Sequence, residues 1–143
     1  MMVFSFLSSK ILIELDEKSA EFRPGEAIKG RVRLHTFRKL AARKFHIVLC
    51  CAEWMGGGPN GNEEDGKEIT LWKKDIKLGE SGEYGAGAWD FEFRIPPESV
   101  PTIACEAEKK FCSKGAGVKW FLHAQMDVPS SLDLHAYKRI FVY

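Results

Sequence analysis

Four side chains in the stretch from Lys29 to His35 could act together. Lys29, Arg31, Arg33 and His35 occupy alternate positions, separated by Gly30, Val32 and Leu34. In an extended chain, alternate side chains share a face and lie about 6.5–7 Å apart. That would make a row of cations at a workable spacing for successive acidic groups. Arginine also grips a carboxylate or phosphate through two parallel hydrogen bonds. The chemistry in view is therefore anion recognition. The competing reading is structural, because the solvated face of a sheet requires the same charged alternation.

The other reactive residue types are dispersed. His35, His46, His123 and His135 lie far apart, and neither a G-x-S-x-G nor an H-E-x-x-H motif accompanies them. Asp90 and Glu92 share one side of a strand pattern, with no apolar context that would shift a carboxyl pKa. Cys50 and Cys51 are adjacent, so in a strand they point to opposite faces. Cys105 and Cys112 are separated by six residues, wider than the C-x2-4-C of a structural zinc site. Reduced core or loop thiols are the simpler reading, with a loop disulfide or shared metal as the alternative. The tract GGGPNGNEEDGK lacks the G-x-x-x-x-G-K-[ST] phosphate loop, and its acids would repel phosphate. Neither an enzyme, nor a cofactor, nor a metal site is expected.

The bulk properties narrow the field further. A chain of 143 residues is expected to form one domain, spanning 1–143, large enough to bury a core without metal or disulfide. The net charge of +1 offers no global attraction to nucleic acid or a membrane surface. Charge is uneven along the chain, however. Between Arg23 and Lys44 there are eight basic residues against Glu26 alone, whereas 53–68 carries five acids against Lys67. An electrostatic partner would be sensed locally. No aromatic nucleic-acid motif accompanies the basic segment, so nucleic-acid binding is not expected. The apolar run MMVFSFLSS has no basic flank and is too short to span a bilayer, and no other run approaches the needed length. A cytoplasmic protein with no membrane span is the expectation.

The elements that must position these residues follow a period of two. Ile11, Ile13 and Leu15 alternate with polar or exposed positions. After the Pro24-Gly25 turn, Ile28, Gly30, Val32 and Leu34 do the same. The run FHIVLCCAEW, 45–54, is apolar on both faces and reads as a strand deep in a sheet. The tract 56–66 reads as a mobile surface loop. Strand character resumes at 68–78, with an irregularity expected at Lys73-Lys74-Asp75. Trp89, Phe91, Phe93 and Ile95 form the cleanest half-buried strand, ended by Pro96-Pro97. The connection 97–116 has room for a short helix near 104–111. Val118, Trp120, Leu122, Ala124 and Met126 follow, and a last strand covers 135–143. This pattern predicts an all-β, immunoglobulin-like antiparallel β-sandwich of about seven or eight strands. Ile13, Val32, Phe91, Phe93, Trp120 and Leu122 should share its interior.

The order of particular stretches resembles the arrestin-like family, which includes sporulation-control and retromer-type arrestin-fold proteins. "PGEAIKGRVRL" is similar to a recurring P-G-E-x-(I/V)-x-G-x-(V/I) segment. "AARKFHIVLCCAEW" resembles a basic link followed by V-x-L-x-C. "YGAGAWDFEFRIPPESVPTI", "GVKWFLHAQMDVP" and the closing "KRIFV" complete the order, across nearly the whole chain. The resemblance implies an amino-terminal-type arrestin sandwich, with material for one such domain where typical arrestins carry two. The surface that would meet the second domain should then be polar, or covered by another copy or another protein.

In that family, basic residues of the amino-terminal domain contact phosphorylated segments, which adds a functional reading to Lys29, Arg31, Arg33 and His35. Lys10 lies near the region where the family places phosphate-contacting lysines, in a differing local motif. The expectation is thus a non-catalytic adaptor or scaffold in trafficking or signalling. Its partners would be proteins, among them ones with acidic or phosphorylated segments, or a second copy meeting it through a strand edge or the surface a second domain would cover. The rival is a carbohydrate- or other ligand-binding sandwich, since sandwich faces often display aromatics; Trp89 and Trp120 fall on the inward side, while Trp54 and Trp72 are ambiguous.

Overall fold

Apolar side chains at alternate positions can be buried together only if the strands that carry them lie face to face, and that requirement shapes the chain. The computed structural model describes residues 8–57, 62–99, 101–102, 116–129 and 133–143. Among them, strands β1 (Lys10–Leu15), β3 (Ala27–His35) and β8 (Gly87–Arg94) form one sheet in the order β1-β3-β8. A second sheet is built from β2 (Glu21–Phe22), β5 (Lys44–Gly57), β6 (Asn62–Gly79), β9 (Ala116–Asp127) and β10 (Leu134–Val142), in the order β2-β10-β9-β5-β6. A small pair, β4 (Leu40–Ala42) with β7 (Gly82–Tyr84), is hydrogen-bonded to neither sheet but adds Leu40 and Ala42 to the same core. No helix occurs among the described residues.

The two larger sheets enclose one core. Ile28, Val32, Leu34, Phe91 and Phe93 come from the first; Ile47, Leu49, Trp120, Leu122, Ala124, Met126 and Ile140 come from the second. Of the six side chains expected to share the interior, five are buried and Ile13 packs against them half-buried. Trp120 is the largest fully buried side chain, and Trp72 lies against it with ring centroids 5.8 Å apart. β5 lies between β9 and β6, which explains why its sequence is apolar on both faces.

Two glycines act as the sequence requires. Gly25 adopts φ +87° in the turn before β3, a conformation that disfavours a side chain. At Gly30 a Cβ atom would stand 2.2 Å from the Glu14 carbonyl oxygen, so the close approach of β1 to β3 depends on glycine here.

Several expectations need correction. Ten strands occur among the described residues, the surplus over seven or eight being the short β2, β4 and β7. One pairing is parallel rather than antiparallel: β2 runs alongside the end of β10. The glycine-rich tract is not wholly loop, because β5 continues to Gly57 and β6 begins at Asn62. Backbone pairing in a hairpin needs no side-chain packing, so glycine weakens these arms without forbidding them. Finally, Lys73 to Asp75 pair in regular register with Val48 to Cys50. The register shifts instead skip Leu71 and Leu78 and recur near the hairpin end. Lys74 mimics a slip because β6 is an edge strand, so even its inward side reaches solvent. The expected helix near 104–111, with Cys105 and Cys112, lies outside the described residues.

Candidate functional site

The row on β3 faces solvent from the centre of the three-stranded sheet, with β1 on one side and β8 on the other. Register decides what flanks it. Opposite Arg31 stand Glu14 on β1 and Asp90 on β8, and opposite Lys29 stands Glu92. Arg31 reaches Asp16 at 2.9 Å, Asp90 at 3.7 Å and Glu14 at 3.8 Å. Arg33 donates through Nε and Nη2 to the two oxygens of Glu14, each at 3.1 Å, a two-pronged grip. Lys29 meets Glu92 more loosely, at 3.9 Å.

The titration of these groups follows from that geometry. The hydrogen bond from Arg33, aided by the charges of Arg33, Arg31 and His35, holds the Glu14 carboxyl below its ordinary value. Reciprocally, Glu14 raises Arg33. Gly30 and Phe91, with Asp16, Lys29, Arg31, Asp90 and Glu92, line an open concavity of about 440 Å³. At the far end of the row, Lys10 stands opposite His35. Among the described residues no carboxylate forms an ion pair with Lys10. The structure thus brings Lys10, Lys29, Arg31, Arg33 and His35 to one face, and sets carboxylates between them.

The opposite face of the molecule, the outer side of the five-stranded sheet, carries a second constellation. His123 on β9 and His135 on β10 are joined by a hydrogen bond of 2.9 Å between Nε2 and Nδ1. Their ring centroids are 5.1 Å apart with planes 16° from parallel, so the two imidazoles meet edge to edge in nearly one plane. Tyr137 lies face to face on His123 at 4.2 Å and is itself 66% exposed. On β5, His46 turns Nδ1 to the Asp75 carboxylate at 3.0 Å. Burial, with lesser contributions from His135 and His46, pushes His123 below the ordinary imidazole value. Read along the chain, these histidines look scattered. The signal that joins them is hairpin register: His135 pairs with Gln125 and Tyr137 with His123, which sets His123 and His135 diagonally across adjacent strands.

Other candidates resolve simply. Cys50 and Cys51 are free, buried thiols. Burial raises both, Cys51 to about 11, so neither is a ready nucleophile. Asp90 is 91% exposed in its side chain and ion-paired, an unpromising setting for acid–base catalysis. Trp120 is buried, and Trp72 and Trp89 pack against the core. Among the described residues no group of three or more His, Cys, Asp or Glu side chains converges to hold a metal. No helix among them is long and apolar enough to cross a membrane.

No family model matches the chain, and no curated protein sequence matches it. Among solved structures it is similar to Spo0M, a sporulation control protein from Bacillus subtilis, with an arrestin-like fold. The TM-score is 0.63 at 18% identity, with 94% of this chain and 49% of that chain covered. The chain therefore spans about half the length of Spo0M, and the likeness is one of fold.

Proposed function

We propose that the chain is a non-catalytic arrestin-fold module that binds partner proteins, taking an acidic or phosphorylated segment along the outward row of β3. One observation carries this reading: Lys29, Arg31, Arg33 and His35 share the solvent-facing side of one strand, and the carboxylates now beside them are exposed to water, Glu14 least and Asp90 most. Exposed ion pairs are weak and screened by salt. A segment laid along β3 exchanges them rather than filling an empty site. A phosphate group carries about −1.5 to −2 charges at neutral pH against one for a carboxylate, so the exchange favours a phosphorylated segment. The distant contacts, Asp90 and Glu14 to Arg31 and Glu92 to Lys29, yield first. Lys10 and His35 mark the end from which such a segment enters.

The other contact mode, pairing through the edge of β6, has less support. That strand is long and exposes Ile69 and Leu71, but its skipped residues interrupt the ladder a partner strand would read.

Fluorescence anisotropy with a labelled peptide carrying phosphoserine at alternate positions tests the proposal. Replacing Lys29, Arg31 and Arg33 with Ser should weaken binding at least tenfold and flatten its salt dependence. An unchanged affinity in the folded triple variant would remove the reading.

A further inference from the structure

The paired imidazoles on the opposite face support a different chemistry. We propose that His123 and His135 form a two-histidine site for a divalent transition-metal cation such as Zn²⁺ or Cu²⁺. His123 Nε2 and His135 Nδ1 stand 2.9 Å apart. In the metal-free pair, one of these nitrogens donates its proton to the lone pair of the other. Both lone-pair directions thus converge on one small volume. Zinc–imidazole bonds are about 2.0–2.1 Å, so two nitrogens on a tetrahedral ion stand roughly 3.3 Å apart. To admit a tetrahedral ion the two nitrogens part by about half an ångström and each ring turns by roughly 35°, because lone pairs that point along one N–N line must meet at the ion beside it.

The proton balance is simple. The ring that held the shared proton gives it up through water and takes one on its outer nitrogen. Both rings then remain neutral and both inner lone pairs face the metal.

The surroundings hold the pair in place. Tyr137, stacked on His123, limits the swing of that ring. β9 is flanked by β5 and β10, and His46 on β5 stands opposite Gln125, two residues along β9 from His123. His46 in turn is held by Asp75 on β6. Asp133, in the link before β10, interacts electrostatically with His135 while accepting hydrogen bonds from the Val128 amide and the Gln125 side chain. No third protein ligand completes a set among the described residues, so water fills the remaining positions. Carboxylate-preferring Mg²⁺ and Ca²⁺ should be ignored by two imidazoles.

The test is calorimetric titration of the whole chain with ZnCl₂ and CuCl₂, beside MgCl₂. One equivalent of Zn²⁺ or Cu²⁺ should bind at pH 7.5, and none of Mg²⁺. Acidification to pH 5 should reduce affinity at least tenfold. His123→Gln and His135→Gln should each lower it at least tenfold, while Lys29→Ser, on the other face, should leave it unchanged. Nitrogen-15 imidazole spectra supply the second measurement: metal should shift His123 Nε2 and His135 Nδ1, and leave their outer nitrogens protonated. Full binding in the doubly substituted protein, or shifts confined to other residues, would overturn the site.

Discussion

The two outer faces of this sandwich solve the same problem in opposite ways. Over the three-stranded sheet, most side chains that meet water are charged, Leu12 excepted, and Lys29, Arg31 and Arg33 are matched by carboxylates on the neighbouring strands. Over the five-stranded sheet, the middle of the face is aromatic and imidazole-rich, with Phe121, His123, His135 and Tyr137 in ring contact. The difference follows from position in the sheet. β3 has a charged neighbour on each side, so Lys29, Arg31 and Arg33 each find an anion within reach. β9 and β5 lie deep in a wider sheet, where long charged side chains would be partly desolvated at a cost. Rings that are flat, weakly polar and stackable fill that place instead.

The largest expected effect tests whether the faces depend on one interior. Trp120→Ala removes the bulkiest buried side chain from between the sheets. It should cost about 3–5 kcal/mol in chemical denaturation. Loss of the His123 and His135 imidazole signals should coincide with loss of the Arg33 side-chain signals. Separate transitions would show that the faces are held by different cores.

Gly30→Ala should divide them. The added Cβ would collide with the Glu14 carbonyl oxygen, which is backbone and cannot simply rotate away. A cost of about 1–3 kcal/mol is expected, borne by the β1–β3 pairing that sets Glu14 beside Arg33. The histidine face should keep its spectrum. If the imidazole signals move as much as those of Arg33, the two faces are coupled more tightly than the packing implies.

Much of this comparison was legible in the amino-acid sequence, and the limits are informative. The alternation of Phe91 and Phe93, and of Trp120, Leu122, Ala124 and Met126, marked inward positions because a strand has only two sides. Gly25 was readable as part of the Pro24-Gly25 turn, where the backbone angle rather than lack of space calls for glycine. What alternation cannot convey is register. The acids facing Arg31 come from β1 and β8, distant in sequence, so the row appeared as cations alone. His123 and His135 looked scattered, and their union required knowing that Gln125 pairs with His135. β6 was harder still, because an edge strand with skipped residues lacks the strict alternation of an interior one.

Acid separates the faces by pH. His123 is lowered in the folded protein, so between its folded and unfolded values the unfolded chain binds more protons. Its contribution to stability is present above the ordinary imidazole range and is lost as pH falls through it. Glu14 is also lowered, so its contribution persists until pH falls below the ordinary carboxylate range. Chemical denaturation followed from pH 8 to pH 3 should therefore show an early loss in the mildly acidic range that His123→Gln abolishes. A later loss should respond to Glu14→Gln. A single acidic transition untouched by His123→Gln would mean that the imidazole pair is not felt by the fold.

The smallest effect on stability is the sharpest test of what the charged face is for. Exchanging Lys29 and Glu92, as Lys29→Glu with Glu92→Lys, keeps the count and sign alternation of the lattice but breaks the cationic row on β3. Both side chains are well exposed and their contact is loose at 3.9 Å, so stability should change by no more than about 0.5 kcal/mol. If the face exists only to be solvated, phosphopeptide affinity should be unaffected as well. If the row reads an anionic segment, affinity should fall while stability holds, since a carboxylate then stands where the segment expects an ammonium. A stability change without an affinity change would assign Lys29 to the lattice and leave Arg31 and Arg33 as the reading pair.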